Sequence, residues 1–339
     1  MKCKIKKEGI KKILVSRTDN IGDVILTLPL ISEIKKHFPQ AKIVFLVKSN
    51  LKCLLNDYED IDDFIFIDEI KSNIDLYKKI CAENFDLVFC VYPRFKLSLL
   101  FFLCGIKYRV GTAYRGYSFL YNIKVREHRK FAEKHEAQYN LNLLNSLMGE
   151  NSQSIEFKFK ISENEKLDLI NKLSPKFNLK SNDKFIIIHP GSRQSAIDLP
   201  LNTLKEFIRV FLNEFKNYKI FITGSKDDKL QIDFLLKDFE DEIGRNIINV
   251  SGLLTLRELM VLIDLSYLFI SNSTGPIHIA GALNKKIIGF YPDVSPMNPV
   301  RWKPLSKNAK ILTPTINPSD MSEIKAEDIV KLTYELLEL

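Results

Sequence analysis

Behind the apolar run Ile13-Leu14-Val15 the chain reads SRTDNIGDVILTLP, residues 16–29, which puts Arg17, Asp19 and Asp23 within seven residues. A carboxylate at the mouth of a fold can take a proton from an attacking hydroxyl, and Asp23 is a candidate general base. An acid in the first turn of a helix is also an ordinary structural choice, because the helix dipole favours negative charge there. Both roles stay open for Asp23 on these residues alone. Gly22 permits a tight turn or the close approach of a ligand. The segment holds no G-x-G-x-x-G, which disfavours a nicotinamide site.

Three further loops carry groups suited to a phosphate or a nucleotide. HPGSRQSAIDLP (189–200) offers the backbone at Gly191, the hydroxyl of Ser192 and the guanidinium of Arg193, a set that fits an anion but also a plain turn with a surface arginine. In SNSTGPIHIAGAL (271–283), Ser273 or Thr274 can cap a helix, Gly275 brings backbone close, and Pro276 suits a first helical turn. Unpaired N–H groups at such a terminus attract an anion, above all a diphosphate. His278 lies one turn further, facing either the same mouth or the core. ITGSKDD (222–228) adds Gly224 with Asp227 and Asp228; either acid accepts ribose hydroxyls or merely starts the next helix.

Other chemistry is weakly represented. Asp60-Ile61-Asp62 spells D-x-D inside the acidic run NDYEDIDD, where chance explains it better than a metal-diphosphate site. No histidine spacing suits a metal, and no G-x-S-x-G elbow occurs. Five cysteines, at positions 3, 53, 81, 90 and 104, form no C-x-x-C pair and are odd in number. They read as reduced, mostly buried thiols.

The elements that must position these loops alternate strand and helix. Strands are expected at 11–16, 41–47, 64–67 and 85–91, and again at 184–189, 218–224, 246–252, 267–271 and 285–292. Continuous apolar runs of this kind indicate parallel sheets covered on both faces. Ile21–Phe38 is expected as a helix that bends at Pro29 or starts near it. Helices are also expected near 201–216, 227–239, 255–265 and 276–283, with Thr255 and Glu258 as a capping box. LSLLFFLCGI (97–106) is too short to cross a bilayer and reads as a buried helix. The charged segment 151–180, with a short helix near 163–173, separates the two alternating blocks. The expected architecture is α/β, two Rossmann-like halves facing a cleft: residues 1–160, residues 161–322, and a C-terminal helix over 323–339. In open parallel sheets ligands gather at the carboxyl ends of strands.

Composition narrows the partners. A net charge of +8 on 339 residues fits nucleic acid, an anionic membrane surface or anionic small substrates. The lysines are spread along the chain with no aromatic-interleaved basic block, so nucleic acid is not expected. No secretory leader is evident in MKCKIKKEGIKK, and the expectation is a cytoplasmic monomer, with peripheral contact at the inner membrane left open.

Taken together, RTDNIGDVILTLP, HPGS, GSKDD and SGLLTLRELMVLIDLSYLFISNSTGPIHIAGAL occur in the order and spacing of glycosyltransferase family 9, the heptosyltransferases. DLVFCVYPRFKLSLLFFLCGIKYRVG and HEAQYNLNLLNSLMG also resemble that family's N-terminal domain, and the resemblance spans about residues 11–300. It implies a GT-B fold and an inverting, metal-independent transfer of heptose from a nucleotide-diphosphate donor, typically ADP-heptose, to a lipopolysaccharide-core acceptor. The donor is then a substrate, and no cofactor is implied. By motif position Asp23 matches the proposed base, Asp19 falls at a variable position, the STGPIH segment matches the donor-binding helix terminus, and PGSR matches the phosphate-contacting loop. Gly22, Arg94 and Arg115 are assigned to the acceptor side, with Lys96, Arg109 and Arg126 as further cations of that half. Two departures stand out. Ser273 replaces a common Asp before Thr-Gly-Pro, and the chain reads Ala196-Ile197-Asp198-Leu199-Pro200 where a lysine usually precedes a Trp-Pro pair. A nucleotide-sugar-binding module without activity and a GT-B-fold sugar-nucleotide epimerase are the alternatives.

Overall fold

Strands that are apolar on both faces can hide only between two layers of helix, and the chain builds two such sandwiches. The structure is a computed structural model that describes residues 7–149, 155–180, 182–192 and 196–338. It divides between Lys158 and Phe159 into two compact units.

The first unit begins with β1 (Lys12–Ser16), α1 (Ile21–Ile25), α2 (Leu28–His37), β2 (Lys42–Val47) and α3 (Lys52–Leu55). It continues with β3 (Asp63–Phe66), α4 (Asn73–Ala82), β4 (Leu87–Cys90) and α5 (Phe95–Leu103), and ends with β5 (Tyr108–Thr112), β6 (Ile123–Val125) and α6 (Glu136–Met148). Its six strands run in the order β3-β2-β1-β4-β5-β6, all parallel. Ile13, Leu14 and Val15 in the central strand are fully buried.

The second unit contains α7 (Glu163–Phe177), β7 (Lys184–His189), α8 (Leu201–Glu214), β8 (Tyr218–Ile222), α9 (Lys229–Leu236) and β9 (Ile247–Asn249). After these come α10 (Leu256–Leu265), β10 (Leu268–Asn272), α11 (Gly275–Ala282) and β11 (Ile287–Phe290). The short α12 (Pro299–Trp302), β12 (Ala309–Leu312) and α13 (Ala326–Leu337) complete it. Its strand order is β12-β11-β10-β7-β8-β9, again parallel throughout. One core cluster joins β7, β8 and β10 to α8 and α13.

Local signals explain most boundaries. The Thr255–Glu258 capping box opens α10 as expected, and Ser162 with Glu165 forms a second one that opens α7. The helix expected over 21–38 is two helices, broken at Leu26-Thr27, with Pro29 in the first turn of α2. A proline there loses no hydrogen bond, because the first N–H groups of a helix have no partner within it.

Three expectations need correction. Cys81 and Cys104 are joined in a disulfide, not held as separate thiols, because α4 and α5 end side by side with these two Cα atoms 4.9 Å apart. Cys53 is an exposed free thiol, and Cys90 is a buried one whose pKa burial pushes up to about 11; Cys3 lies outside the described residues. Strands β5, β6 and β12 have no counterpart among the expected strands; they are short and lie at or beside sheet edges, where periodicity is weakest. The helix expected to be buried over 97–106 is α5, and one side of it faces solvent, with Phe102 and Leu103 both exposed.

Helix α11 owes its position to close packing at Gly281. A Cβ there would sit 2.8 Å from the backbone nitrogen of Leu305 and 3.1 Å from Pro304 Cβ. Gly281→Ala must displace backbone, and urea unfolding should show a loss of about 1–3 kcal/mol, the usual cost of overpacking.

Candidate functional site

In the first unit the carboxyl end of β1 delivers Arg17, and this arginine is only 2% exposed. Its backbone N–H extends the ladder by donating to Leu46 O at 3.1 Å, so the side chain is fixed at its root. A buried guanidinium must find acceptors for its donors. Nε donates to Asp19 at 2.7 Å, and Nη2 donates to Asp23. Nη1 donates to Glu136 at 3.1 Å and to Asn140 at 3.4 Å. Glu136 is fully buried and also accepts from Arg129.

Two guanidinium groups therefore face three carboxylates in a site nearly closed to water. Burial pushes the pKa of Asp23 up to about 6, and the nearby Asp19 and Glu136 add to the rise that Arg17 opposes. Burial raises Asp19 as well. An acid whose midpoint sits near neutrality can both accept and release a proton under working conditions. Asp19 takes a structural place on Arg17, and Asp23 has an oxygen not held by that short contact.

Helix α6 locks this corner. His135 caps its first turn, accepting from Ala137 N at 3.2 Å through Nδ1. Asn140 reaches across to donate to Leu26 O at 2.9 Å and to Thr27 Oγ1 at 3.3 Å, at the break between α1 and α2. Thr27 Oγ1 in turn donates to Asp23 O at 2.8 Å. Gly22 is buried with helical backbone inside α1, next to Asp23. Tyr92 links the cluster outward: its ring lies 5.8 Å from the Arg17 guanidinium and 4.5 Å from that of Arg94. Arg94 and Arg115 are exposed, and neither is in an ion pair among the described residues. Arg109 is partly buried and committed to Leu120 O at 2.8 Å and to Ile106 O, a structural duty.

In the second unit a neutral clamp does the comparable work. Asn272 ends β10 and is 1% exposed. Its Nδ2 donates to Pro190 O at 2.7 Å, while its Oδ1 accepts from Leu199 N at 2.9 Å. One amide thus closes both ends of the loop that carries Gly191 and Ser192; Arg193 lies outside the described residues. His189 Nδ1 and Thr223 Oγ1, at 2.9 Å, tie the ends of β7 and β8 together. Asp228 packs between two glycines: a Cβ on Gly191 would come within 2.7 Å of Asp228 Oδ1, and one on Gly224 within 3.3 Å of Asp228 Cβ. Its Oδ2 accepts from Ser225 N at 2.6 Å and Ser225 Oγ at 2.7 Å. These bonds place Asp228 at the start of the next helix.

The start of α11 is built differently. Thr274 is its N-cap but bonds no helix N–H with its side chain; its hydroxyl pairs with Ser271 Oγ at 3.1 Å. Gly275 and Pro276 follow, so the terminal N–H groups are left without a side-chain cap and carry the positive end of the helix dipole. His278 is buried, its ring 6.3 Å from that of Trp302. Ser273 touches Tyr291, whose hydroxyl donates to Trp302 O at 2.9 Å. A hollow of about 220 Å³ lined by Leu173, Phe185 and Tyr267 lies by the amino end of β7, away from these groups. Among the described residues no three His, Cys, Asp or Glu side chains are grouped as for a metal.

Sequence reasoning singled out Asp23 and the α11 turn; it passed over Glu136, Asn140 and Asn272, which the structure ties to those loops, and gave Arg17 no role. The available signal was Arg17 itself, a cation straight after a buried strand, which needs a buried acid. Arg17→Met should destabilise the protein by about 3–5 kcal/mol at pH 7.5, the range for stranding buried partners. The loss should shrink at pH 5, because carboxyls raised by burial take up protons there; urea unfolding at both values measures it.

The family model for glycosyltransferase family 9 (heptosyltransferase) matches residues 74–332. A Haemophilus influenzae chain named "Putative glycosyltransferase" is 30% identical over 312 residues, covering 88% of this chain and 87% of its own length. Lipopolysaccharide heptosyltransferase 3 of Escherichia coli is 25% identical, with 93% and 95% covered. The structure of E. coli ADP-heptose lipopolysaccharide heptosyltransferase II matches with a TM-score of 0.81 at 21% identity, covering 97% of this chain and 99% of that one. These likenesses give both units the Rossmann-like architecture of the GT-B fold, and the chain belongs to glycosyltransferase family 9 and is a glycosyltransferase.

Proposed function

We propose that the protein transfers a heptose, with inversion, from an ADP-linked donor to a hydroxyl of a lipopolysaccharide-core acceptor. The observation that carries this reading is Asp23, its pKa pushed up to about 6 by burial and its carboxylate held beside Arg17 at the carboxyl end of β1. The acceptor oxygen attacks the anomeric carbon, and Asp23 as carboxylate receives its proton. The anomeric carbon–oxygen bond breaks, and its electron pair leaves with the nucleoside diphosphate. The N–H groups of Gly275 and Ile277 at the start of α11, in the Ser273–Pro276 turn, and the Gly191–Arg193 loop stabilise that anion, with His278 one turn behind. Arg94 and Arg115 are assigned to anionic groups of the acceptor. The names of the E. coli relatives support heptose, the adenine nucleotide and lipopolysaccharide; a metal has no step to perform in this scheme. The second reading, a nucleotide-sugar binder without activity, is favoured by Ser273 standing where the family usually has Asp and by the lack of its usual lysine in Ala196–Pro200.

Asp23→Asn separates the two. Under the transferase reading kcat/KM should fall by roughly 10²–10⁴-fold, the usual contribution of a general base. Because the base acts deprotonated, wild-type activity should rise with pH to a half-maximum near 6 and then level off. The Asp23→Asn variant should lose that limb, whereas a silent binder would show no transfer to lose.

A thermal-shift screen of nucleoside diphosphates and nucleotide sugars tests the donor. A ligand at one hundred times its Kd stabilises the fold by about 2.7 kcal/mol. ADP should raise Tm most among the diphosphates; a shift confined to another base would withdraw ADP-heptose.

A further inference from the structure

Residues 87–126 contain seven Lys or Arg and no Asp or Glu, whereas 42 acids in 339 residues would place about five in forty. The same forty residues carry Phe95, Phe102, Leu103, Tyr114 and Phe119 as exposed large apolar side chains, Phe119 at 71%. Helix α5 accounts for much of this. Leu97, Leu100 and Phe101 form its inward stripe. Phe95, Leu99, Phe102 and Leu103 form a second stripe on the opposite side at helical spacing, three of the four exposed. A helix apolar on both faces needs a partner on each, and the sheet supplies only one.

The patch is continuous with the β5–β6 connection. The Phe95 ring meets Tyr117 edge-on at 5.6 Å. The Arg109 guanidinium lies 5.2 Å from the Phe102 ring and donates to Leu120 O at 2.8 Å, next to Phe119. Around the apolar stripe stand Lys96, Lys107, Lys124 and Arg126, all exposed. No helix in the described residues is long and apolar enough to cross a membrane.

We propose that this face of the first unit docks on an anionic lipid surface, with the α5 stripe and Phe119 entering the acyl boundary and the surrounding cations meeting headgroup phosphates. Exposed aromatic and aliphatic groups on one side of a helix, in a segment with seven Lys or Arg and no acid, have the chemistry of an interfacial segment. A second copy of the chain fits worse, because a two-fold interface would press the same cations against each other. The docking uses none of the side chains assigned to proton transfer or to the donor, and, if the proposed function holds, it would keep the enzyme where a lipid-linked acceptor resides.

The test is co-sedimentation of the full chain with vesicles that contain neither donor nor acceptor, so its failure is separable from failure of the transfer reading. Vesicles of phosphatidylcholine with about 30% phosphatidylglycerol should pellet the protein, and pure phosphatidylcholine should not. Phe102→Ser with Leu103→Ser and Phe119→Ser should weaken binding by roughly tenfold or more. Lys107→Glu with Lys124→Glu should weaken it by a similar factor and flatten its salt dependence. Both variants change exposed positions and should keep the wild-type melting temperature and ADP-induced shift. Equal binding to neutral lipid, unchanged binding by the triple serine variant, or no binding at all would overturn the proposal. So would a concentration-dependent dimer lost in the serine variant, or oligonucleotide binding in place of vesicle binding.

Discussion

A parallel sheet buried on both faces has nowhere to put polar chemistry except at the ends of its strands. Ile13, Leu14 and Val15 in one unit, and Ile186, Ile187 and Ile188 in the other, are sealed by helices above and below. Every strand of each sheet points the same way, so the loops leading into helices collect on one rim. Arg17, Asp23, Gly191, Ser192 and the Ser273–Pro276 turn all lie on such rims. The need to hide two apolar faces thus fixes where reactive groups can stand before any of them is chosen.

The two rims meet that constraint with opposite electrostatics. In the first unit a buried cation gathers Asp19, Asp23 and Glu136, and burial among those acids raises Asp23 toward neutrality. The corner is held by charge, so its protonation state is part of its geometry. In the second unit the clamp is the neutral amide of Asn272, and the start of α11 keeps its N–H groups uncapped. A carboxylate at that turn would compete with an anionic ligand for the same donors. Ser273 puts no such charge at this turn.

Much of this was legible from local pattern. Apolar runs marked nine of the strands, Thr255 and Glu258 marked the start of α10, and Gly-Pro after Ser-Thr marked the turn into α11. The short strands β5, β6 and β12 were not legible, because three to five residues with half-exposed faces give little periodicity. The Cys81–Cys104 pair was hidden because five cysteines at irregular spacings name no partners, and it appears only because two helices end together. Helix α5 misled in a different way. Its composition said buried, but composition cannot say which of two apolar faces the sheet will cover.

By itself the sequence determined the α/β alternation, the loops that carry the chemistry and the family pattern, because each is written within a dozen or so neighbouring residues. Only the tertiary structure decided that Arg17 rests on Glu136, 119 positions away, and that Asn272 holds Pro190 from 82 positions away. Those partners are chosen by burial. A guanidinium or a carbonyl taken out of water must be satisfied by whatever the fold brings near, and that neighbour has no signature along the chain.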